Sequence, residues 1–403
     1  MRITNISSRS TTLFTTLIST MSSATAAKAP TMTRAAAQAM GSVSSGGMRS
    51  TSSSSAINNN NKNSMPAYIP TIDKDRVSLI QTEFPSAKLE PLDPIGASVY
   101  GIDLKQTRPS QDVINAFEAE MANRGFLVFK DQHELTADEL VEATKWWGDH
   151  KMHSTHGVHP ATPPGPNMRH VFRLSNDRNH GILGVGPQWH NDGSFEAAPF
   201  SHVAYHIVRV AENGGGTHFV HQGAAFDQLS VEDQEYWSRL SSVNSNSGVV
   251  HPVVHEHPIS GRKCVWLHMG MTGAVIECTK DGNFRLLNRD EMKKLFLQYT
   301  ALMSDGVEQG QYGIAYEYEP GDVLFIDNYI MGHRASPQAH LPASEQGLRI
   351  MHRTTGKAPF EGFEPKFGLP QYVNIHGPSP FGDGVWIGGG IGFRFDESLH
   401  YQN

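Results

Sequence analysis

The folds open to this chain are limited most by a series of short segments rich in β-branched and aromatic residues, each bounded by Gly or Pro. They include "HVAYHIVRV", "GTHFVHQ", "HPVVHEHP", "KCVWLHM", "YEYEPGDVLFIDN" and "LRIMHRTT". Many short strands separated by turn residues are typical of a β-sandwich or jelly roll. We therefore expect a mainly β fold, in which "EPGD" forms the turn of a tight hairpin.

A few peripheral helices are predicted around this β core. Apolar residues spaced four apart over 113–121 predict one helix. Thr136 and Glu139 have the spacing of a capping box and predict the start of a second. Further helices are expected after Ser230 and Asn288.

Residues 1–72 differ in composition from the rest of the chain. They contain no Asp or Glu and are rich in Ser, Thr, Ala and Asn. Their basic residues are Arg2, Arg9, Lys28, Arg34, Arg49 and Lys62. This composition is typical of an organellar transit peptide with a disordered linker, for which a mitochondrion is the first expectation and a plastid the second. A merely disordered tail on a cytoplasmic protein stays open. We expect one domain over 73–403, with a Gly-rich extension from about residue 375 to 403.

The composition of the whole chain excludes several classes of protein. A formal net charge of −7 over 403 residues, without a clustered basic stripe, gives no electrostatic reason to expect nucleic acid as a partner. No apolar run approaches the ~18 residues of a membrane span. Cys264 and Cys278 cannot form a disulfide framework. Two buried thiols in a reducing compartment are expected, with a single bridge as the alternative. We therefore expect a soluble protein that binds a small molecule, with no membrane or nucleic-acid partner.

A candidate metal site starts from the stretch "QWHNDGSF". In an extended strand, His190 and Asp192 would project from one face, as two ligands of a metal must. His333, just past a strand in "GHRAS", is the candidate third ligand. Two His and one carboxylate leave open coordination positions, as in non-heme Fe(II) oxygenases. Asp327 is a candidate acceptor for the outer nitrogen of a ligand His.

The last predicted strand carries a pair of cations. "GLRIMHRTTG" places Arg349 and Arg353 four residues apart, and therefore on one face of a strand. A planar guanidinium binds a carboxylate through two parallel hydrogen bonds, as the far end of a metal-bound 2-oxo acid would require. Thr217, in "GGGTHF", offers a hydroxyl that could complete the hydrogen bonds of the same carboxylate.

Together these blocks resemble the taurine/α-ketoglutarate dioxygenase family, which also contains the 2,4-dichlorophenoxyacetate dioxygenases. The resemblance runs from about Pro91 to about Lys357 and includes "IGASVYGIDL", "GFLVFKDQ", "WHNDGSF", "GGGTHF", "HPVVHEHPISGRK", "GDVLFIDN", "GHRAS" and "RIMHR". It implies a double-stranded β-helix core of the jelly-roll, cupin-like type, with Fe(II) held by His190, Asp192 and His333. It also implies 2-oxoglutarate and O₂ as co-substrates.

The same resemblance assigns roles to further residues. It implies that Thr217 and Arg349 hold the distal carboxylate of 2-oxoglutarate. Arg353 matches an Arg that helps to bind the anionic group of the substrate in sulfonate-oxidising members, while a salt bridge or a cofactor-pocket wall is the alternative. His153, in the His-rich loop "HKMHSTHGVH", matches a position from which a His reaches the substrate head group.

Two departures from the family pattern concern the substrate. The taurine enzymes carry an Asn four residues before the first His ligand, and here that residue is Gly186. The stretch "FGDGVWIGGGIGFRF" has no counterpart in the family pattern. The resemblance therefore implies the cofactor chemistry, whereas taurine as the substrate is in doubt.

The reaction that the resemblance implies is oxidation of a C–H bond in a small anionic substrate, a sulfonate or carboxylate, with release of succinate and CO₂. Asp192 argues against halogenation, because halogenating relatives carry Gly or Ala at that position. Desaturation and oxidative cyclisation stay open as outcomes. So do two other classes of protein: a cupin-type metalloenzyme that does not use 2-oxoglutarate, and a silent binding or sensor protein. Family members often self-associate, so a homo-oligomer stays open as well.

Overall fold

The computed structural model describes residues 68–106, 108–148, 157–184, 186–357 and 362–387. The strands in these ranges are β1 (Lys88–Pro91), β2 (Ala97–Tyr100), β3 (Phe126–Phe129), β4 (Phe172–Ser175), β5 (His202–Arg209), β6 (Thr217–His221), β7 (Leu240–Asn244), β8 (Val250–Pro252), β9 (Val254–Glu256), β10 (Lys263–Val265), β11 (Thr272–Cys278), β12 (Phe284–Leu286), β13 (Gly313–Tyr316), β14 (Val323–Asp327), β15 (Met331–Ala335) and β16 (Ile350–Gly356). The helices are α1 (Lys74–Glu83), α2 (Gln111–Arg124), α3 (Ala137–Thr144), α4 (Gln222–Asp227), α5 (Val231–Trp237), α6 (Arg289–Glu308) and α7 (Ala343–Gln346).

The strands form a large sheet and smaller ones. The large sheet has seven strands in the order β1-β2-β3-β14-β5-β16-β4, and only its β2–β3 pairing is parallel. The small sheet has the order β13-β6-β15 and shares one hydrophobic cluster with the large sheet, so the two sheets pack face to face. A four-stranded sheet, β12-β11-β7-β8, and the pair β10-β9 complete the β structure.

Alternate residues of β3 and β14 point to opposite faces of the large sheet, as strand geometry requires. One set packs against the apolar faces of α2 and α3, and the other packs against the small sheet. The first set comprises Leu127, Phe129, Val323 and Phe325, and the second comprises Phe126, Val128, Leu324 and Ile326. Because both faces are covered, these strands read as continuous apolar runs in the sequence.

The predicted helices occur, and their ends are those that the local sequence indicates. The α2 helix ends at Gly125, which has φ of 92° and donates its N–H to the Met121 carbonyl. The α3 helix begins at Thr136 with both hydrogen bonds of the capping box to Glu139. The α5 and α6 helices follow Ser230 and Asn288, which cap their N-termini. Helix boundaries are therefore set by near neighbours in the chain.

The predicted hairpin at "EPGD" is wrong. The β13 strand before it pairs with β6 in the small sheet, whereas β14 after it is paired on both sides by β3 and β5 in the large sheet. Since β14 has no free edge, the turn carries the chain from one sheet to the other. Asp322 stabilises this crossing by accepting a hydrogen bond from the Tyr316 hydroxyl at 3.0 Å.

Other expectations about the chain as a whole can be compared with the described residues. Cys264 and Cys278 are both buried and both free thiols, as predicted. Within the described ranges, every helix is too short or too polar to cross a lipid bilayer. Of the C-terminal extension, the part up to residue 387 is described, and it packs against the four-stranded sheet.

Candidate metal and cofactor site

His190 and His333 are brought together by a backbone bridge between two distant segments. The amide of each residue donates to the carbonyl of the other at 3.0 Å, and the ring centroids are 4.3 Å apart. The expected strand carrying both His190 and Asp192 is only partly present, because the chain turns at Asp192 directly after the bridge. This turn still leaves Asp192 Oδ2 at 3.9 Å from His333 Nε2.

The three predicted metal ligands form a cluster with the geometry that a metal requires. One ligand atom from each of His190, Asp192 and His333 lies within 4.8 Å of the others, and all three residues are buried. No other such group of three occurs among the described residues. Asp192 Oδ2 is buried without a hydrogen-bond partner among them, as expected of an oxygen that serves a cation. Two imidazoles and one carboxylate fit a divalent iron with open positions.

The protonation states of these side chains suit metal binding. Burial raises the pKa of Asp192, but Arg353 and the neighbouring His333, His190 and His268 together lower it by more, to a net value of about 2. Burial, reinforced by the neighbouring His190, lowers the pKa of His333 to about 3. Burial also lowers the pKa of His190. At neutral pH the site therefore offers two neutral imidazoles and one carboxylate, the forms that bind metals.

The orientation of the first ligand is set by its own segment. His190 Nδ1 donates to the Gln188 carbonyl at 2.7 Å, which leaves Nε2 free to face the site. Gly186 has φ of 71°, and a Cβ atom there would lie 2.9 Å from His190 Cε1. The Gly that replaces the family's Asn is therefore needed for the close approach of this segment to the His190 ring.

A buried amide network holds the segment that carries His190 and Asp192, and no sequence pattern predicted it. The side chains of Asn191 and Gln222 exchange two hydrogen bonds, at 2.9 and 2.8 Å. The Asn328 side chain accepts from the Asp192 amide at 2.9 Å and donates to the Asp192 carbonyl at 2.8 Å. The only signal in the sequence was the position of Asn191 between two candidate ligands.

A smaller cavity lies beside the triad, between the large sheet and the small sheet. Its lining includes the predicted cofactor residues and extends along β16. The residues are Leu174, Gly186, His190, Tyr205, Thr217, His333, Ala335, Arg349, Met351 and Arg353. The predicted shared face of Arg349, Met351 and Arg353 is therefore present, although the register of β16 with β5 shifts between Ile350 and Met351.

The polar groups of the smaller cavity retain donors for an anion. Arg349 donates to the backbone carbonyls of Gly215 and Ala339 at 3.0 Å each, so part of its five N–H groups is used. Thr217 Oγ1 accepts from the Tyr318 hydroxyl at 2.6 Å, which leaves the Thr217 hydroxyl hydrogen available. Tyr318 was not predicted. A carboxylate between Arg349 and Thr217 would find donors on both.

Arg353 lies between the metal cluster and the cavities. Its Nη1 is 2.8 Å from Asp192 Oδ1, and its guanidinium stands 4.6 Å from the centroid of the Phe172 ring. Its buried Nε has no hydrogen-bond partner among the described residues. The salt-bridge alternative from the sequence is thus observed, and the remaining donors of Arg353 stay available for a bound anion.

A larger cavity of about 740 Å³ opens on the other side of the triad. Its apolar lining comprises Ile182, Leu183, Pro187, Phe195, Phe200 and Met271. Its polar lining includes Gln188, Asn246, Ser247, His268 and Arg353, together with His190 and Asp192 of the triad. The His268 ring centroid is 5.1 Å from that of His190. His268 was not predicted, since a single His without a second candidate ligand nearby in the sequence carries no pattern.

Two predicted residues, His153 and Asp327, remain. His153 lies outside the described residues. Asp327 does not contact a ligand His: its Oδ2 accepts from His257 Nε2 at 2.9 Å, in a pair that is almost wholly buried. The prediction for Asp327 is wrong because this carboxylate, at the end of β14, is paired with His257, which directly follows β9.

The fold and the cluster together define a class of protein: jelly-roll enzymes that bind a divalent metal through two His and one carboxylate. The chain belongs to the family described as "Taurine catabolism dioxygenase TauD, TfdA family", whose model matches residues 88–355. It is therefore a dioxygenase that uses Fe(II), 2-oxoglutarate and O₂. The predicted family, enzyme class and cofactors are confirmed, and the roles of individual residues stay predictions.

Curated relatives extend the comparison. A putative alpha-ketoglutarate-dependent sulfonate dioxygenase from Schizosaccharomyces pombe is 27% identical over an alignment of 286 residues, with coverage of 66% of this chain and 68% of that protein. An alpha-ketoglutarate-dependent sulfonate dioxygenase from Saccharomyces cerevisiae is 24% identical over 283 residues, or 64% of each chain. A sulfate ester dioxygenase of the same cofactor dependence, from Pseudomonas putida, is 24% identical over 60% of this chain and 81% of its own length.

Solved structures share the fold. A putative alpha-ketoglutarate-dependent taurine dioxygenase from Burkholderia xenovorans superposes with a TM-score of 0.53 and 21% identity, over 68% of this chain and 90% of that one. A second taurine dioxygenase from the same organism gives a TM-score of 0.52 and 22% identity, with the same coverage. The predicted mainly β jelly roll with peripheral helices is thereby confirmed.

Proposed function

We propose that this dioxygenase oxidises a C–H bond of a small organic sulfonate, releasing succinate and CO₂ from 2-oxoglutarate. The observation that carries the proposal is the position of Arg353, which lines both cavities and lies beside the metal cluster. An anion held there would place its neighbouring carbon close to the metal. The names of three relatives, two sulfonate dioxygenases and one sulfate ester dioxygenase, support a sulfonate over a carboxylate.

The cofactors would be held by residues from separate strands. His190, Asp192 and His333 would bind Fe(II). Arg349 and Thr217 would bind the distal carboxylate of 2-oxoglutarate in the smaller cavity, which ends at the metal cluster. Fe(II) with 2-oxoglutarate supplies the activation of O₂ and the removal of hydrogen from the substrate.

The protein contributes orientation and insulation. Arg353 would hold the sulfonate by charge-assisted hydrogen bonds, and His153 would contact the same head group. The apolar residues Phe195, Phe200 and Met271 would surround the rest of the substrate and keep water from the reacting carbon. Asp192 stands where halogenating relatives carry Gly or Ala, so hydroxylation is expected over halogenation. Desaturation and oxidative cyclisation, which begin with the same removal of hydrogen, are the alternative outcomes.

The lining of the larger cavity also bears on the kind of sulfonate. Among its described residues, Asp192 is the only carboxylate, and we assign it to the metal. The ammonium group of taurine would therefore meet no free anionic partner among them. Together with the apolar walls, this supports a sulfonate whose organic part is uncharged.

The test begins with cofactor binding. Fe(II) and then 2-oxoglutarate are added to the protein without oxygen, and the weak visible charge-transfer band of the bidentate complex is titrated. The band should weaken in Asp192→Ala and Arg349→Ala, and should persist in Asp112→Ala and Arg169→Ala, which change exposed residues. A normal band in both site variants would contradict these assignments.

The substrate is then tested directly. Succinate release is measured with ethane-, butane- and hexanesulfonate, with taurine and with the matching carboxylates. We expect turnover of the uncharged sulfonates, and a strong rise of their KM in Arg353→Ala. Turnover of carboxylates alone would remove the sulfonate from the proposal. Release of succinate without oxidised sulfonate would indicate uncoupled turnover and a different substrate.

We further propose that residues 1–72 direct the protein to an organelle, a mitochondrion before a plastid. The absence of acidic residues and the six basic ones support this. A fusion of residues 1–72 to a fluorescent protein tests it, and a diffuse cytoplasmic signal would favour a disordered tail. Self-association stays a prediction, which the mass in solution would decide.

A further inference from the structure

Residues 362–387, here called the C-terminal segment, are a folded part of the enzyme although the family match ends at residue 355. Apolar side chains of the C-terminal segment share a hydrophobic cluster with the four-stranded sheet. They are Leu369, Val373, Ile375, Phe381, Trp386 and Ile387. Trp386 Nε1 also donates to the Gly377 carbonyl at 2.9 Å, which ties the segment to itself.

The C-terminal segment pairs with the turn that joins β7 to β8. The Val250 amide donates to the Gln371 carbonyl at 3.0 Å, and the Val373 amide donates to the Gly248 carbonyl at 2.9 Å. Gly248 has φ of 72°, and a Cβ atom there would collide with the Val373 carbonyl oxygen. The contact is therefore made backbone to backbone and requires Gly at this position.

The same turn forms a wall of the larger cavity. Asn246 and Ser247, in the middle of the turn, line this cavity, and so does Met271. The Ser245 amide donates to the Met271 carbonyl at 2.7 Å, so the two parts of the wall are joined. Ile387 of the C-terminal segment also lies against Gly273, two residues beyond Met271.

We propose that the C-terminal segment is a positioning element that sets this wall of the larger cavity, and thereby the length of the organic chain that the enzyme accepts. The selectivity part rests on the proposed function, because it takes the larger cavity as the sulfonate site. The positioning part rests only on the contacts of the segment with the turn. Among the described residues, no hydrogen bond or ion pair joins Asn246, Ser247 or Met271 to Arg349 or Thr217, so binding of 2-oxoglutarate should be independent of the wall.

The positioning part is tested by hydrogen–deuterium exchange on the whole protein. Gly248→Ala is compared with Gly382→Ala, which lies in the C-terminal segment at φ of 82° with no atom within 4 Å of an added Cβ. Both variants carry the same left-handed strain, but only the first breaks the contact. We expect exchange over 245–250 to rise at least tenfold in Gly248→Ala and to stay within twofold in Gly382→Ala. Equal exchange in the two variants would overturn the proposal.

The selectivity part is tested with ethane-, butane-, hexane- and octanesulfonate. The ratio of kcat/KM for the longest and shortest substrates should change at least fivefold in Gly248→Ala and stay near the wild-type ratio in Gly382→Ala. The Kd of 2-oxoglutarate should stay within twofold in both. A partial loss of folded protein lowers all four rates together and does not alter the ratio. An unchanged ratio in folded Gly248→Ala would therefore overturn the selectivity role.

The outcomes separate this proposal from the proposed function. If the wild type oxidises no sulfonate, the proposed function fails, and the exchange comparison still decides whether the segment positions the wall. If Gly248→Ala does not fold, Phe381→Ala replaces it, because it loosens the segment from the sheet without adding an atom at the turn. The same rise in exchange over 245–250 is then expected.

Discussion

Nη1 of Arg353 lies 2.8 Å from Oδ1 of Asp192, and both side chains are buried. This cation compensates the negative charge of a carboxylate that is assigned to the metal, and it does so from the edge of the larger cavity. The pair therefore couples the metal site to the site proposed for the substrate anion.

Replacement of Arg353 by Met should destabilise the metal-free protein by about 3 kcal/mol, because a buried carboxylate loses its partner. A bound cation restores the charge balance, so Mn(II) should raise the Tm of Arg353→Met more than that of the wild type. Thermal unfolding with and without Mn(II) measures both. Arg262→Met is the control, since Arg262 pairs with half-exposed Asp227 at 2.6 Å. Equal increments of Tm in Arg353→Met and wild type would show that the pair does not serve the metal site.

Thr217→Val should weaken the binding of 2-oxoglutarate about tenfold or more, because a hydrogen bond to a charged group contributes about 1.5–3 kcal/mol. Thr217→Ser keeps the hydroxyl and should stay close to the wild type. Tyr318→Phe removes the donor to Thr217 and should have a smaller effect. Anaerobic titration of the visible band gives the three Kd values. If Thr217→Ser loses as much affinity for 2-oxoglutarate as Thr217→Val, packing and not the hydroxyl accounts for the loss of affinity.

Asn328→Ala should lower metal affinity about 10- to 100-fold, as loss of a residue that orients a ligand typically does. The physical reason is the pair of hydrogen bonds between the Asn328 side chain and the backbone of Asp192. Titration with Co(II), followed by its visible absorption, measures the affinity. Asn115→Ala, on the exposed face of α2, is the control. Unchanged affinity in folded Asn328→Ala would show that the backbone alone positions Asp192.

Asp327→Asn should lower the free energy of unfolding by about 2 kcal/mol, because the buried carboxylate is the acceptor for His257. Metal affinity should stay within twofold, since Asp327 contacts no residue of the triad. Urea unfolding and Co(II) titration measure the two effects. A large loss of metal affinity with normal stability would restore the role that the sequence suggested for Asp327.

Glu118 should make stability depend on pH. Burial, with a further contribution from the negative charge of Asp327, raises the pKa of Glu118 from 4.5 to about 7. The pKa of Glu118 is higher in the folded than in the unfolded protein, so the folded protein binds this proton more tightly. The contribution of the protonated carboxyl to the free energy of unfolding is therefore complete below pH 4.5 and is lost as the pH rises through 7. Glu118→Gln should remove this pH dependence, and at pH 8 its free energy of unfolding should exceed that of the wild type by at most about 3 kcal/mol.

The measurement for Glu118 is urea unfolding at pH 5, 6, 7 and 8. Glu232→Gln changes an exposed residue of α5 and should follow the wild type at every pH. If Glu118→Gln also follows the wild type, the carboxyl group is solvated in solution.

Local patterns predicted those parts of this protein that depend on near neighbours in the chain. The Gly125 terminus of α2 and the Thr136 capping box depend on hydrogen bonds within four residues. The blocks around His190, Asp192 and His333 carried the family resemblance, and with it the cofactors. These features are readable because each is complete within one short segment.

Only the tertiary structure decided which segments meet. The chain between β13 and β14 looks like a hairpin, yet β14 is already paired on both sides, so its neighbours come from β3 and β5 far away in the sequence. Asp327 pairs with His257, and Asn328 with the backbone of Asp192, for the same reason. The sequence gives the chemistry of each side chain directly. The partner of that side chain depends on packing between segments far apart in the chain, which local sequence patterns do not predict. The Gly-rich C-terminal segment shows this most clearly, because only its backbone pairing with the β7–β8 turn places it next to a wall of the larger cavity.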